Sequence, residues 1–340
     1  MNNAELIKIT AAMMAGSKGL LAMDESNGTC NKRFAALGIP QTEVARRDWR
    51  ELIATTPGLG KYISGAILYD ETIHQKRKDG TLIISAIIND DIIPGIKVDT
   101  GAKAMAGFPG EKITEGLDGL RERLAHYYKV GARFAKWRAV IAIGNGIPSI
   151  ACIDANANAL ARYAALCQEA GIVPIVEPEV LMEGNHCLKL CFDVTEKVLK
   201  IVFNQLYQQR VMLEGMILKP NMIIPGLQYA EQATVDEVAD ATVQCLLQSV
   251  PAAVGGIAFL SGGQSGEMAS AHLNAMHVLH GAKLPWPLTF SFARAIQQPA
   301  MSIWGGDENN KHAAQQALYH RAKCDDAARR GEYDAAMEEA

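Results

Sequence analysis

Eight short apolar, β-branched runs alternate with longer amphipathic segments along this 340-residue chain, and that alternation limits the fold more than any other feature. The runs cover residues 19–23, 64–69, 93–98, 133–141, 173–177, 212–218, 256–260 and 287–291. Between several of them lie helices. Residues 155–170 carry Leu160, Tyr163, Ala164 and Cys167 at the 3/4 spacing of a buried stripe. Thr234 with Glu237 makes a capping-box start for a helix to about Gln248, and Asp193 with Glu196 is expected to open another before Val198, Val202 and Leu206. Parallel neighbours need a crossover connection, so the alternation predicts an α/β chain with a parallel sheet. Eight units suit a closed (β/α)8 TIM barrel. A doubly wound open sheet is the runner-up, which periodicity alone does not separate. No internal repeat, low-complexity tract or Pro/Ser-rich linker appears, so 1–340 is expected to be a single domain. The barrel would run from about 18 to 300, with an N-terminal extension before Lys18 and C-terminal helices and tail over 301–340. Residues 321–340 read as polar and mobile at their end.

Composition excludes several classes. With 49% hydrophobic residues the chain can bury a large core, which rules out disorder. A net charge of −4 lacks the positive field a nucleic-acid binder needs. No apolar run reaches the ~18 residues that span a bilayer; the uncharged stretch 241–266 is interrupted by Gln244, Gln248, Pro251 and glycines. The patch 11–15 is too short for a signal peptide. Seven scattered cysteines, an odd number without framework spacing, read as reduced thiols and predict a cytoplasmic protein.

Charge gathers at the ends of the apolar runs: Asp24, Lys97, Lys136 with Arg138, Glu177 with Glu179, Lys219, and Arg294 just past the eighth. A buried lysine in a strand is costly unless paired or functional. In a barrel all these ends converge on one mouth, which makes them a candidate site. Side chains two apart on a strand share a face, so Lys136 and Arg138 point one way and Trp137 the other, toward the helix layer. Glu177 and Glu179 also share a face. One of them should have a raised pKa unless nearby lysines offset it, as in a general acid and base pair. Lys219 precedes Pro220 in extended backbone, and desolvation with like charge should depress its pKa toward the neutral amine that carbonyl attack requires. Which of Lys97, Lys136 and Lys219 is the nucleophile stays open from spacing alone.

Two anion sites follow. Ser261-Gly262-Gly263-Gln264-Ser265-Gly266 comes after the seventh run and leads into a helix from about Glu267, so backbone N–H groups and a helix N-terminus can hold a phosphate, with Arg294 after the eighth run. Lys32, Arg33, Lys97 and Arg138 form a second basic cluster for the opposite rim. Two anionic ends with a reactive amine between them imply a small bisphosphorylated carbonyl compound. Other motifs fail. Gly144-Asn145-Gly146 lacks the remainder of a dinucleotide fingerprint, and His272, His277 and His280 do not have zinc-protease spacing. Cys187 and Cys191 beside His186 read as thiols on a helix, since no second ligand pair accompanies them. No metal site is expected.

The segments LLAMDESNGT (20–29), PGIKVDTG (94–101), FAKWR (134–138), PIVEPE (174–179), LKPNM (218–222), FLSGGQS (259–265) and LTFSFAR (288–294) closely resemble those of class I fructose-1,6-bisphosphate aldolases, the metal-independent, Schiff-base type. They cover most of residues 10–320 in the family's order. The resemblance implies a (β/α)8 barrel, usually a homotetramer, acting on sugar phosphates without a cofactor. It marks Lys219 as the Schiff-base lysine, Glu177 as the acid/base for carbinolamine dehydration with Glu179 beside it, Lys136 as its assistant, and Asp24 as the group handling the C4 hydroxyl proton. Ser261, Gly262 and Arg294, with Gly263 and Ser291, would hold the phosphate of the dihydroxyacetone half. Ser26, Thr29, Lys97 and Arg33 or Arg138 would serve the aldehyde-side phosphate. The alternatives are a Schiff-base aldolase preferring another ketose phosphate, such as fructose 1-phosphate or sedoheptulose 1,7-bisphosphate, and a non-catalytic sugar-phosphate-binding scaffold.

Three departures stand out against that family. Its terminal tyrosine, which assists proton exchange at the enamine, has no counterpart at Met337-Glu338-Glu339-Ala340, and the last tyrosine here is Tyr333. Ala293 replaces a glycine that often donates its N–H to phosphate, and Thr29 replaces a serine.

Overall fold

The computed structural model describes residues 3–339. In chain order the strands are β1 (Gly19–Ala22), β2 (Ile63–Leu68), β3 (Ile93–Lys97), β4 (Gly101–Ala104), β5 (Lys112–Glu115), β6 (Phe134–Ile141), β7 (Val173–Val180), β8 (Ile217–Leu218), β9 (Ile257–Phe259) and β10 (Leu288–Phe292). Eight of them close a barrel in the order β1-β10-β9-β8-β7-β6-β3-β2, and its ladders are all parallel. The expected TIM barrel is therefore present, and the open sheet is excluded. No helix among the described residues is long and apolar enough to cross a membrane.

The alternation of side chains across a strand builds the barrel in two shells. Leu20, Ala22, Ile67, Phe134, Val173, Ile175, Ile217 and Ala258 fill the interior. Leu6, Met13 and Met14, on and just past the helix Asn3–Met13, close the N-terminal end of the same cluster. The alternate residues, among them Leu21, Ile96, Trp137, Val176 and Leu218, face the helix layer. Trp137 meets Tyr163 of the helix Ile150–Glu169 with ring centroids 5.6 Å apart. Continuing the inward series past the apolar plug reaches Asp24, Lys136, Glu177 and Lys219, so one period carries both core and chemistry.

The large interior ring of Phe134 needs backbone without a side chain beside it. A Cβ at Gly95 would overlap that ring. Gly95→Ala is expected to destabilise the protein by about 1–3 kcal/mol through overpacking, read as a lower urea midpoint.

Several boundaries differ from those expected. The sixth run, 212–218, forms only Ile217–Leu218 as strand, because Leu213–Gly215 is a 3-10 turn. Gln168 holds it there: its Nε2 donates to Met212 O at 2.7 Å and Gly215 O at 3.3 Å, and its Oε1 accepts from Met212 N at 2.9 Å. The fifth run, 173–177, extends as β7 to Val180, paired with Ile141, so Glu179 lies on the ladder. Helix 155–170 begins earlier, at Ile150, capped by Ser149, whose Oγ accepts from Cys152 N. The Thr234–Glu237 capping box forms as expected. Asp193 and Glu196, however, lie inside the helix Leu188–Gln208, where each pairs with a lysine four residues away: Lys189–Asp193 at 2.5 Å and Lys200–Glu196 at 2.7 Å.

The hairpin β4–β5 was not foreseen. The polar reading of residues 321–340 also needs correction, since Arg321, Asp325, Asp326 and Arg329 are buried in the helix Lys311–Arg329. Arg321 pairs with Asp325 at 3.3 Å, and both bond Ser270, so each finds polar partners inside the fold, although Arg321 Nε and Asp325 Oδ2 have none among the described residues.

Candidate active site

At the C-terminal mouth of the barrel, the fifteen residues to which the family resemblance gives roles all line one cavity of about 560 Å³, as does Lys32, whereas Gln264, Ser265 and Gly266 of the glycine-rich turn do not. Strand register brings the charged set together: Lys97 is level with Lys136, and Arg138 with Glu177. Lys219 Nζ lies 3.3 Å from Glu177 Oε1, and Lys136 Nζ lies 3.2 Å from Glu177 Oε2 and 2.5 Å from Asp24 Oδ2. Glu177 thus stands between two amines. The chain at Lys219 is pinned on both sides: Lys219 N donates to Val176 O at 2.8 Å, and Asn221 Oδ1 accepts from Val180 N at 3.0 Å.

Burial and charge divide these groups by role. Burial and the neighbouring Lys136 push the Lys219 amine below the usual lysine value, against the pull of Glu177 and Asp24. Burial acts the same way on Lys136, but Asp24, Glu177 and Asp99 outweigh it and hold that amine protonated. For Asp24, burial favours the acid, yet Lys136, Lys219 and Lys97 outweigh it and keep the carboxylate ionised far below its ordinary range. Burial likewise opposes the charge of Glu177, but the cations Lys136, Lys219 and Arg138 lower its pKa. Glu179 moves upward, through burial first and Glu177 beside it, partly offset by its bond from Arg138 Nε. The carboxylate pair is therefore split, as anticipated for two acids sharing one face.

Two further groups of residues line the same cavity and are candidates to hold anions. In the turn after β9, Gly262 and Gly263 sit at φ +52° and +88°, the left-handed region glycine favours, and Gln264 N closes the turn onto Ser261 O at 3.1 Å. The helix Gly266–His280 follows, with Ser265 as its cap. His272 Nδ1 meets Gln264 Oε1 at 2.5 Å and fixes the turn from below. Arg294 borders this turn near Gly263, and the buried Ser291 Oγ at the cavity wall has no partner among the described residues. Past β1, the neighbour of β10, Ser26 caps the helix Asn27–Ala36, which carries Thr29, Lys32 and Arg33. Lys97 and Arg138 complete that rim.

The family model described as fructose-bisphosphate aldolase class-I matches residues 5–340. The chain belongs to this family. It is 57% identical to the Xanthomonas campestris protein named "Probable fructose-bisphosphate aldolase class 1", over 95% of this chain and 96% of that one. It is 49% identical to a cytosolic fructose-bisphosphate aldolase of Arabidopsis thaliana, over 97% of this chain and 84% of the relative. The structure superposes on the fructose-bisphosphate aldolase of Plasmodium falciparum, solved in complex with TRAP and a small-molecule inhibitor, with a TM-score of 0.96 and 44% identity, covering 98% and 96% of the two chains.

Two acidic partners in this aldolase were missed from sequence. Glu25 binds Arg33 at 2.6 Å and Arg50 at 2.7 Å, holding Arg33 at the rim. Asp99 lies 3.4 Å from Lys97 Nζ and accepts from Arg138 N at 3.2 Å. Asp99 lies two residues past Lys97, so the same spacing rule that linked Lys136 to Arg138 could have found it. Tyr333 does not line the cavity; its hydroxyl donates to Glu338 at 2.8 Å.

Proposed function

We propose that the chain cleaves fructose 1,6-bisphosphate reversibly to dihydroxyacetone phosphate and glyceraldehyde 3-phosphate through a Schiff base on Lys219. The observation that carries this reading is the amine of Lys219, buried and depressed, 3.3 Å from Glu177 in the cavity that Ser261, Arg294, Lys97 and Arg138 also line. Glu177, a carboxylate at rest, takes one proton from the Lys219 ammonium. The neutral nitrogen adds to the C2 ketone and passes a second proton to its oxygen. Glu177 returns the first to the departing hydroxyl as water leaves the carbinolamine, giving the protonated imine. Lys136 holds Glu177 and Asp24 in place. Asp24 takes the C4 hydroxyl proton as the C3–C4 bond breaks, and the electron pair flows into the protonated imine, giving an enamine and the free aldehyde. A protonated imine is itself the electron sink, so this route calls on no cofactor. Protonation of the enamine at C3 and hydrolysis then release the ketone product.

Ser261, Gly262, Gly263, Ser291 and Arg294 take the phosphate next to the ketone. Ser26, Thr29, Arg33, Lys97 and Arg138 take the distal one, with Glu179 orienting Arg138. Tyr333, engaged with Glu338 and outside the cavity lining, does not serve proton exchange at the enamine. The same reading gives one catalytic domain over 1–340, assembled as a homotetramer in the cytoplasm.

The distal cradle predicts substrate preference. In a coupled retro-aldol assay, fructose 1-phosphate is expected to show a kcat/KM about 10²-fold below fructose 1,6-bisphosphate, because its cations then lack their anion. Equal values for the two substrates would contradict the assignment of that rim.

A further inference from the structure

A second constellation lies on the outside of the barrel, on the helix Lys311–Arg329 and the C-terminal turn Ala335–Glu339. His320 and Cys324 are four residues apart and share a helix face, with Nε2 and Sγ 3.5 Å apart. One ligand atom each from His320, Cys324 and Glu338 falls within 4.8 Å of the others. We propose that these three residues bind a divalent transition metal of the zinc type, which clamps the C-terminal turn to the helix.

Zinc bonds of about 2.3 Å to sulfur and about 2.0 Å to nitrogen, at a tetrahedral angle, place the two ligand atoms roughly 3.5 Å apart. The observed spacing equals that value without any movement of the helix. The donor set is thiolate, imidazole and carboxylate, which suits zinc and disfavours calcium or magnesium, whose sites are built from oxygen. A thiolate and a carboxylate together balance a dication. The carboxylate is already oriented: Tyr333 Oη donates to Glu338 Oε1 at 2.8 Å, and Arg321 Nη1 donates to the same oxygen. Its other oxygen remains to face the metal, in the manner of ligands held by outer hydrogen bonds. The charge of Arg321 is countered by Asp325 at 3.3 Å.

Access comes from a cavity of about 980 Å³ lined by His320 and Glu338 together with Lys61, His312 and Tyr319. It shares no lining residue with the aldolase cavity; Cys324 is buried and does not line it, and water entering past His320 and Glu338 would take the fourth coordination position. Three protein ligands with one open position is an established zinc arrangement.

Cobalt(II) serves as the spectroscopic probe on the metal-stripped full chain. One equivalent is expected to give a thiolate-to-cobalt charge-transfer band with tetrahedral d–d intensity, zinc to displace it, and zinc to raise the thermal unfolding midpoint. Cys324→Ser should abolish the band, and His320→Gln should weaken cobalt binding by about 100-fold. Cys187→Ser, at the half-buried thiol beside His186, should leave both unchanged. No band, a band lost in Cys187→Ser but kept in Cys324→Ser, or unaltered affinity in His320→Gln overturns the proposal. Should Cys324→Ser not fold, His320→Gln decides, because its ring is partly exposed and carries no core packing.

Discussion

Lys219→Met is expected to lower kcat by at least about 10⁴-fold while leaving the urea midpoint unchanged or slightly raised. The catalytic half follows because neither of the other strand-end lysines is placed to substitute. Lys136 is held protonated between Asp24 and Glu177 and has no free electron pair. Lys97 is engaged by Asp99 at 3.4 Å. The stability half follows from the direction of the Lys219 shift. A lysine whose native pKa is depressed opposes folding at every pH below its unfolded value, since the unfolded chain binds the proton more readily. Methionine removes that opposition and keeps most of the side-chain volume. Measured kcat and urea unfolding on the same sample test both halves. A variant that keeps more than a few per cent of turnover, or loses activity only because it unfolds, contradicts this account.

Lys136→Met is expected to damage both properties. Its amine pairs with Asp24 and with Glu177, all three deeply buried. Removing one partner of a buried ion pair leaves charge uncompensated and costs roughly 3–5 kcal/mol. The pH dependence carries a sign. Asp24 and Glu177 have native pKa values below their unfolded 3.8 and 4.5, so each contributes stability above that unfolded value and loses it as pH falls through the native one. Lys136 is a main cause of both depressions. The gap in urea midpoint between wild type and Lys136→Met should therefore be wide at neutral pH and shrink as pH falls below about 4, where the carboxylates of the unfolded chain protonate and the wild type progressively loses this stability. Catalysis shifts as well. Lys136 lowers the pKa of Lys219, so in the variant Lys219 titrates nearer the ordinary lysine value, and the rising limb of kcat/KM against pH moves to higher pH. A gap in midpoint that stays constant between neutral and acid pH would refute the paired arrangement.

The barrel was legible because its strands obey one period throughout. Phe134, Lys136 and Arg138 share a face whether that face ends in core or in chemistry, so the sequence run that marks a strand also marks the site. What escaped was set by partners distant in sequence. The run 212–218 is apolar enough for a strand, yet Gln168, over forty residues earlier, bends it into a turn. Asp193 and Glu196 have capping-box spacing but lie within a helix that Cys187 precedes, where lysines four residues away satisfy them. The hairpin of Gly101–Ala104 with Lys112–Glu115 is too short and too exposed to show an alternating pattern. Arg321 and Asp325 read as solvent-facing because their composition is polar, although they are buried and pair with each other and with Ser270. At the site, the cations stood out at strand ends, whereas Glu25 and Asp99 matter only through the arginines and lysine they hold.

Borohydride reduction in the presence of dihydroxyacetone phosphate, followed by peptide mapping, bears most directly on the central claim. An imine traps the ketone on the nitrogen that formed it, and reduction makes the bond permanent. The account predicts a single equivalent of adduct on the peptide containing Lys219. Labelling on Lys136 or Lys97 instead, or no adduct while turnover persists, would contradict it.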